Sequence, residues 1–198
     1  SPEICQLVSV GKSVQGRDLW FVKISDHAAV TEAEPRVQYI ANMHGDEVVG
    51  RELMLKLIEH LLVNYGKIPQ VTELVDSTEL WIMPSMNPDG FVLQDRFNAQ
   101  GTDLNRDFSD PDTLAADEER RVYETAAETK AIAAFTLARN FSWAANFHGG
   151  ALVVNLPWDR RRATPLAPDH DLFLLTSRVY TKYNQAIFNG GFTEGITI

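Results

Sequence analysis

Two of the chain's five histidines stand where a metal ion could be held. His44 opens the run His44-Gly45-Asp46-Glu47. A His and a Glu three positions apart can turn toward one ion, because positions i and i+3 share a helical face. Alone, that spacing arises by chance in many chains, where it marks a surface imidazole beside a solvated carboxylate. His148, followed by Gly149 and Gly150, offers a second imidazole, and glycines there let the backbone crowd a site. His44, Glu47 and His148 together make a His₂Glu set, one of the ligand sets of open catalytic zinc sites, whose fourth position holds water. His27, His60 and His170 have no such context and read as surface residues.

A third group lies between the two histidines: Asn87-Pro88-Asp89-Gly90, then Arg96, then Gly101-Thr102-Asp103-Leu104-Asn105-Arg106-Asp107-Phe108. Taken singly, Asp103 suits a turn cap that makes only local hydrogen bonds. A lone arginine is more often a solvated surface charge than a catalytic group.

The elements that must position these residues follow from periodicity. Gln6 to Val10 and Leu19 to Ile24, on either side of Gly11 and Gly16, predict an opening hairpin. Val37 to Ala41 predicts a strand just before His44. From Val48 to Tyr65, Val49, Leu53, Leu57, Leu61 and Leu62 recur at helical spacing, and Gly66 supplies the stop. Glu79 to Met83 reads as a buried strand. Pro84 to Phe108, rich in Asn, Asp, Gly and Pro, reads as a long loop of the kind that carries function. Glu118 to Ala138 predicts a helix, Ser142 to Phe147 a strand ending at His148, and Asp169 to Phe188 a final amphipathic helix. Strands alternating with helices imply an α/β fold, one domain with a sheet covered on both faces.

Composition sets the frame. The chain has 198 residues, 44% hydrophobic and 23% charged, enough for one globular domain with a sizeable core. Its formal net charge is -9 and its isoelectric point about 5.0, which disfavours a nucleic-acid partner. The one basic run, Arg160 to Arg162, reads as a solvated turn. No stretch approaches the roughly 20 apolar residues of a membrane span, and Ser1-Pro2-Glu3 has no signal-peptide pattern. Cys5 is the only cysteine, so redox chemistry does not mark the compartment. Asn140-Phe141-Ser142 fits an N-glycosylation sequon but abuts a predicted core strand.

Several motifs in order carry a resemblance: Gly50-Arg51-Glu52-Leu53, Pro84-Ser85-Met86-Asn87-Pro88-Asp89-Gly90, Asp103-Leu104-Asn105-Arg106 and Asn146-Phe147-His148-Gly149-Gly150. They resemble the zinc carboxypeptidases, especially the branch of carboxypeptidases D, E and N, through nearly the whole chain. The resemblance implies a central mixed sheet with helices on both faces and one zinc ion bound by His44, Glu47 and His148. It implies that Asp103 stands behind the first His ligand, fixing its tautomer and orientation. Asn105 and Arg106 match the pair that holds a substrate's terminal carboxylate, and Arg96 matches the arginine that stabilises the developing oxyanion. Asp159, in Asn155-Leu156-Pro157-Trp158-Asp159, matches the acidic residue that selects C-terminal Lys or Arg, although Arg160 to Arg162 depart from the family pattern there. The partners implied are peptide or protein C-termini.

The same resemblance assigns the general base to a glutamate, with a substrate-capping tyrosine near it, and places both beyond residue 198. Glu194 lies too early to be that base. The 198-residue chain is therefore expected to be part of a catalytic domain, with little or no activity alone. Two rival readings are a non-catalytic module that binds zinc and peptide C-termini, and a related zinc acylase or deglutamylase. Relatives in the resembled family work in secreted, periplasmic or secretory-pathway settings, and nothing in the sequence chooses among these.

Overall fold

Every residue of the strand Glu79–Met83 is buried, the mark of a strand covered on both faces, and the sheet is built around it. The computed structural model describes residues 3–108, 125–159, 166–189 and 196–197. The strands are β1 (Cys5–Lys12), β2 (Asp18–Ile24), β3 (Arg36–Ala41), β4 (Glu79–Met83) and β5 (Trp143–Phe147), in the order β1-β2-β4-β3-β5. β1 with β2 and β2 with β4 run antiparallel; β3 runs parallel to both β4 and β5. The sheet is mixed, as the resemblance implies. The hairpin forms β1 and β2.

Parallel neighbours need crossovers, and these place helices on both faces. Helix α1 (Val48–Asn64) and helix α2 (Pro69–Asp76) connect β3 to β4. Their Met54, Leu61, Val71 and Val75 pack with Ile24, Ala41, Leu80 and Ile82. Helix α4 (Ala127–Leu137) precedes β5, and its Ile132 and Phe135 pack with Leu19, Phe21, Ile40, Trp81 and Met83. Alternation along β4 sends Leu80 and Ile82 to one core, and Trp81 and Met83 to the other. Because β4 and β5 lie on opposite sides of β3, the carboxyl ends of β3 and β5 border a topological switch point, where α/β folds open a crevice.

A buried ion cluster marks the start of β4. Glu79 is 1% exposed and Lys23 on β2 is 3% exposed. Lys23 Nζ lies 3.3 Å from Glu79 Oε1, and Arg36 Nε lies 3.1 Å from Oε2. The Trp81 indole and the Glu32 amide also donate to this carboxylate, each at 3.3 Å.

Four sequence expectations need correction. The buried face of α1 is centred on Gly50, Met54 and Leu61, while Val49 and Leu53 are exposed. Gly50 marks the contact: a Cβ there would come within 3.0 Å of Phe147 Cβ and 3.3 Å of Ala41 Cβ, so a larger residue would press α1 away from the sheet by a few tenths of an ångström. Pro84 to Phe108 is not all loop, since it holds helix α3 (Pro88–Leu93) and a 3-10 turn, Leu104–Arg106. Within Glu118 to Ala138, the helix starts at Ala127; residues 118–124 lie outside the described residues. The final helix divides into α5 (His170–Thr181) and α6 (Gln185–Phe188), because Asn184 caps the second piece through the Ile187 amide at 3.3 Å. Helix α2 is an addition, with Pro69 at its first turn.

The chain folds as two units, Ser1–Gly149 and Gly150–Ile198. The five-stranded sheet belongs to the first. The second contains α5, α6 and a parallel pair of short strands, β6 (Val154–Asn155) and β7 (Ile196–Thr197). Among the described residues no helix is long and apolar enough to cross a membrane.

Candidate metal centre

The register of β3 and β5 pairs Ala41 with Phe147, so the segments that follow both strands leave the sheet side by side. His148 comes directly after Phe147. His44 lies three residues beyond Ala41, on a turn held by Asn42. The Asn42 side chain, fully buried, donates to the carbonyls of His44, Gly45 and Glu47 at 2.9, 3.0 and 3.3 Å. Asn42 has φ 55°, a left-handed conformation that Asn tolerates better than most residues. Ser85 in turn donates to Asn42 Oδ1 at 2.7 Å. Gly45 packs so tightly on Gly90 that a Cβ would fall 2.1 Å from its carbonyl carbon.

These supports bring His44, Glu47 and His148 together, with one donor atom from each within 4.8 Å of the others. His44 Nδ1 lies 3.0 Å from Glu47 Oε1 and 3.3 Å from His148 Nδ1, which is itself 3.0 Å from Glu47 Oε2. The Gly149 amide donates to Glu47 Oε2 at 2.9 Å. A Cβ on Gly149 would meet Glu47 Cγ at 3.3 Å, so the glycine leaves room for this approach.

The other face of His44 meets Asp103. Nε2 lies 3.1 Å from Asp103 Oδ1, and with the ring proton on Nε2 the Nδ1 lone pair turns toward Glu47 and His148. Arg96 grips the same carboxylate, with Nε at 3.0 Å and Nη2 at 2.9 Å from Asp103 Oδ2. Arg96 Nη1 reaches to 3.3 Å from His44 Nδ1, which sets its positive charge at the mouth of the donor group.

Both carboxylates are ionised near neutral pH. Burial pushes the Glu47 carboxyl up, but the contacts around it, led by the Gly149 amide, outweigh it and hold the group below the usual range. Burial likewise raises Asp103, and the Arg96 guanidinium, the Asn105 amide and the His44 ring overcome it. Imidazole lone pairs and a carboxylate this close repel one another unless a ring proton or a metal cation lies among them. Two imidazoles and one carboxylate are a donor set suited to zinc.

Asn105 and Arg106 occupy the 3-10 turn after Asp103. The Asn105 amide donates to Asp103 Oδ1 at 2.9 Å, and Arg106 is exposed, with Nη1 2.9 Å from the Asn105 carbonyl. Asp159 is exposed on a turn of the second unit, its amide donating to the Leu156 carbonyl at 2.9 Å. Arg160 to Arg162 lie outside the described residues. Outside the resembled motifs, sequence patterns do not single out Asn42 and Ser85, the polar residues that shape the His44 turn. Asn42, just after a predicted strand and before a glycine-containing turn, carries the one local signal.

Comparison with known proteins identifies the family. The zinc carboxypeptidase family profile matches residues 1–198. Carboxypeptidase SOL1 of Arabidopsis thaliana is 43% identical over 200 residues, covering 98% of this chain and 40% of that protein. Carboxypeptidase D of Rattus norvegicus is 43% identical over 203 residues, covering 96% of this chain and 14% of that protein. The crystal structure of thrombin activatable fibrinolysis inhibitor superposes with a TM-score of 0.76 over 95% of this chain and 51% of that one; at 22% identity it speaks to the fold alone. The chain thus spans less than half the length of these two carboxypeptidases. Matched along its whole length by one family and 43% identical to named members, the chain belongs to the zinc carboxypeptidase family.

Proposed function

We propose that residues 1–198 form part of the catalytic domain of a zinc-dependent exopeptidase that removes single residues, chiefly Lys and Arg, from peptide C-termini. The observation that carries this reading is the convergence of His44, Glu47 and His148 within 4.8 Å, with the Arg96 guanidinium 3.3 Å from His44 Nδ1. His44 Nδ1, His148 Nδ1 and the Glu47 carboxylate would hold the zinc. When bound, zinc polarises a carbonyl and lowers the pKa of a coordinated water to about 7.

The protein's own residues supply the rest. Asp103 keeps the His44 proton on Nε2 and so keeps Nδ1 free to donate. Arg96 places a positive charge where the scissile carbonyl gains negative charge. Asn105 and Arg106 grip the terminal carboxylate; a planar guanidinium does this with two charge-assisted hydrogen bonds, which sets the last peptide bond at the site. Asp159 would pair with a cationic final side chain, a charge match that an apolar residue does not offer.

The test is a peptide series on the full-length protein, differing only in the last residue and in whether the C-terminus is free or amidated. Free C-terminal Lys and Arg should be released one at a time, at least about a hundredfold faster than Leu, with amides resistant. Cleavage of amides at the same rate would contradict the carboxylate grip. Equal rates for Lys and Leu would contradict the role of Asp159.

A further inference from the structure

Arg96 and Asp103 stand at the two ends of a tight turn whose own anchor is buried. Asn98, 4% exposed, closes that turn: its Oδ1 accepts from the Gln100 and Thr102 amides, both at 3.0 Å. Its backbone amide donates to the Thr102 carbonyl at 3.0 Å, and the Gly101 amide returns to the Asn98 carbonyl at 2.9 Å. Two amide protons on Oδ1 fix the side-chain amide the other way round, with Nδ2 pointing outward. That Nδ2 donates at 3.1 Å to Oε2 of Glu128, in the first turn of α4, which is 0% exposed. The other oxygen, Oε1, accepts from the Val14 amide in the β1–β2 turn at 3.0 Å. The end of the same loop is tied to α4 as well, since the Ala126 amide donates to Asp107 Oδ2 at 2.8 Å.

We infer that Glu128 is a positioning residue for the proposed reaction, acting through Asn98 to hold the turn that sets Arg96 against Asp103 and the metal-binding histidine. The inference rests on the role proposed for Arg96. The loop has to hold a guanidinium to fractions of an ångström, and misplacement by about 1 Å at a reacting centre can cost on the order of a hundredfold in rate. Proton counting shows why the residue must be an acid. Both of its oxygens accept from donors with no freedom to reverse, and burial excludes a replacement water. A glutamine there must turn its NH₂ toward Val14 N–H or Asn98 Nδ2, and either choice sets donor against donor.

The decisive experiment compares Glu128→Gln with the exchange variant Glu128→Gln/Asn98→Asp. In the exchange variant, residue 98 can accept from Gln100 and Thr102 with one oxygen and from the new amide with the other, while the new amide oxygen accepts from Val14; every hydrogen bond is restored, and only the one between residues 98 and 128 reverses direction. In zinc-saturated full-length protein, Glu128→Gln should lower kcat at least about tenfold with KM within about threefold, and the exchange should restore kcat to within about threefold of the parent. A folded Glu128→Gln with parental kcat and only a lower melting temperature would overturn the inference. So would a folded exchange variant whose kcat stays low. Should Glu128→Gln fail to fold, the exchange variant decides alone: folded with parental kcat supports the pairing, and unfolded or slow overturns it. A second readout separates failure here from failure of the proposed function. The Arg96 Nε–H NMR signal, assigned by its loss in Arg96→Lys, should shift in Glu128→Gln and return in the exchange variant even if no peptide is cleaved. An unshifted signal would overturn the positioning role.

Discussion

Replacing Arg96 with alanine is expected to lower kcat of the full-length enzyme about 10²- to 10³-fold while KM changes only a few-fold, the size of loss that follows removal of one oxyanion donor. The guanidinium touches both halves of the site, 2.9 Å from Asp103 Oδ2 and 3.3 Å from His44 Nδ1. Two roles are therefore open to it, bracing Asp103 behind the metal ligand or meeting the substrate oxygen in front. They differ in what zinc can repair. Loss of a partner behind a ligand typically weakens metal affinity 10- to 100-fold, and saturating zinc would then restore the rate. Loss of oxyanion stabilisation persists at any zinc concentration. Steady-state kinetics across a zinc titration distinguishes them, and a full recovery of kcat would remove Arg96 from the chemistry.

The largest effect on stability falls at Glu79, distant from the site in sequence but at the foot of the strand that centres the sheet. Glu79→Ala strands the Lys23 ammonium, 3% exposed, with its acidic partner gone, and leaves Arg36 and the Trp81 indole short of an acceptor. Removing one partner of a buried pair costs about 3–5 kcal/mol. Burial works to raise the Glu79 carboxyl, but the Glu32 amide, Trp81, Lys23 and Arg36 together bring it below its ordinary 4.5. A depressed folded-state pKa stabilises fully above the unfolded value and less as pH falls through the folded one. Denaturant unfolding should therefore show the full gap between parent and variant at neutral pH. The gap should narrow below about pH 4.5. A gap under about 1 kcal/mol at pH 7 would mean that the cluster is not the buried pair described here.

The candidate ligands His44, Glu47 and His148 were legible because the motifs around them resemble a known family and each follows a predicted strand within a few residues, and the structure brings the three together as a group able to hold a metal. Which strands are neighbours was not local. The pairing of β3 with β5 that brings His148 to His44 appears only in the folded sheet. The misread elements share a cause. Pro69 and the run Asn87-Pro88-Asp89-Gly90 carry turn signals, yet proline at the first helical position and asparagine at the cap also start helices. Helix α2 begins with such a proline, and α3 with both. In α1, hydrophobicity favoured Val49 and Leu53, while the side that packs is marked by Gly50, whose missing side chain no apolar pattern detects. The polar supports were least legible of all. Glu128 meets Asn98 across 30 residues and Val14 across 114, and nothing in either neighbourhood announces the bond.

Elemental analysis of the purified chain after removal of loosely bound ions, alongside a His148→Ala variant of unchanged circular dichroism, tests the central claim most directly. The account predicts about one zinc per parent chain and almost none in the variant, because two remaining donors hold the ion far more weakly than three. A folded parent without zinc, or a folded variant that keeps a full equivalent, would contradict the assignment of His44, Glu47 and His148 and the mechanism built on it.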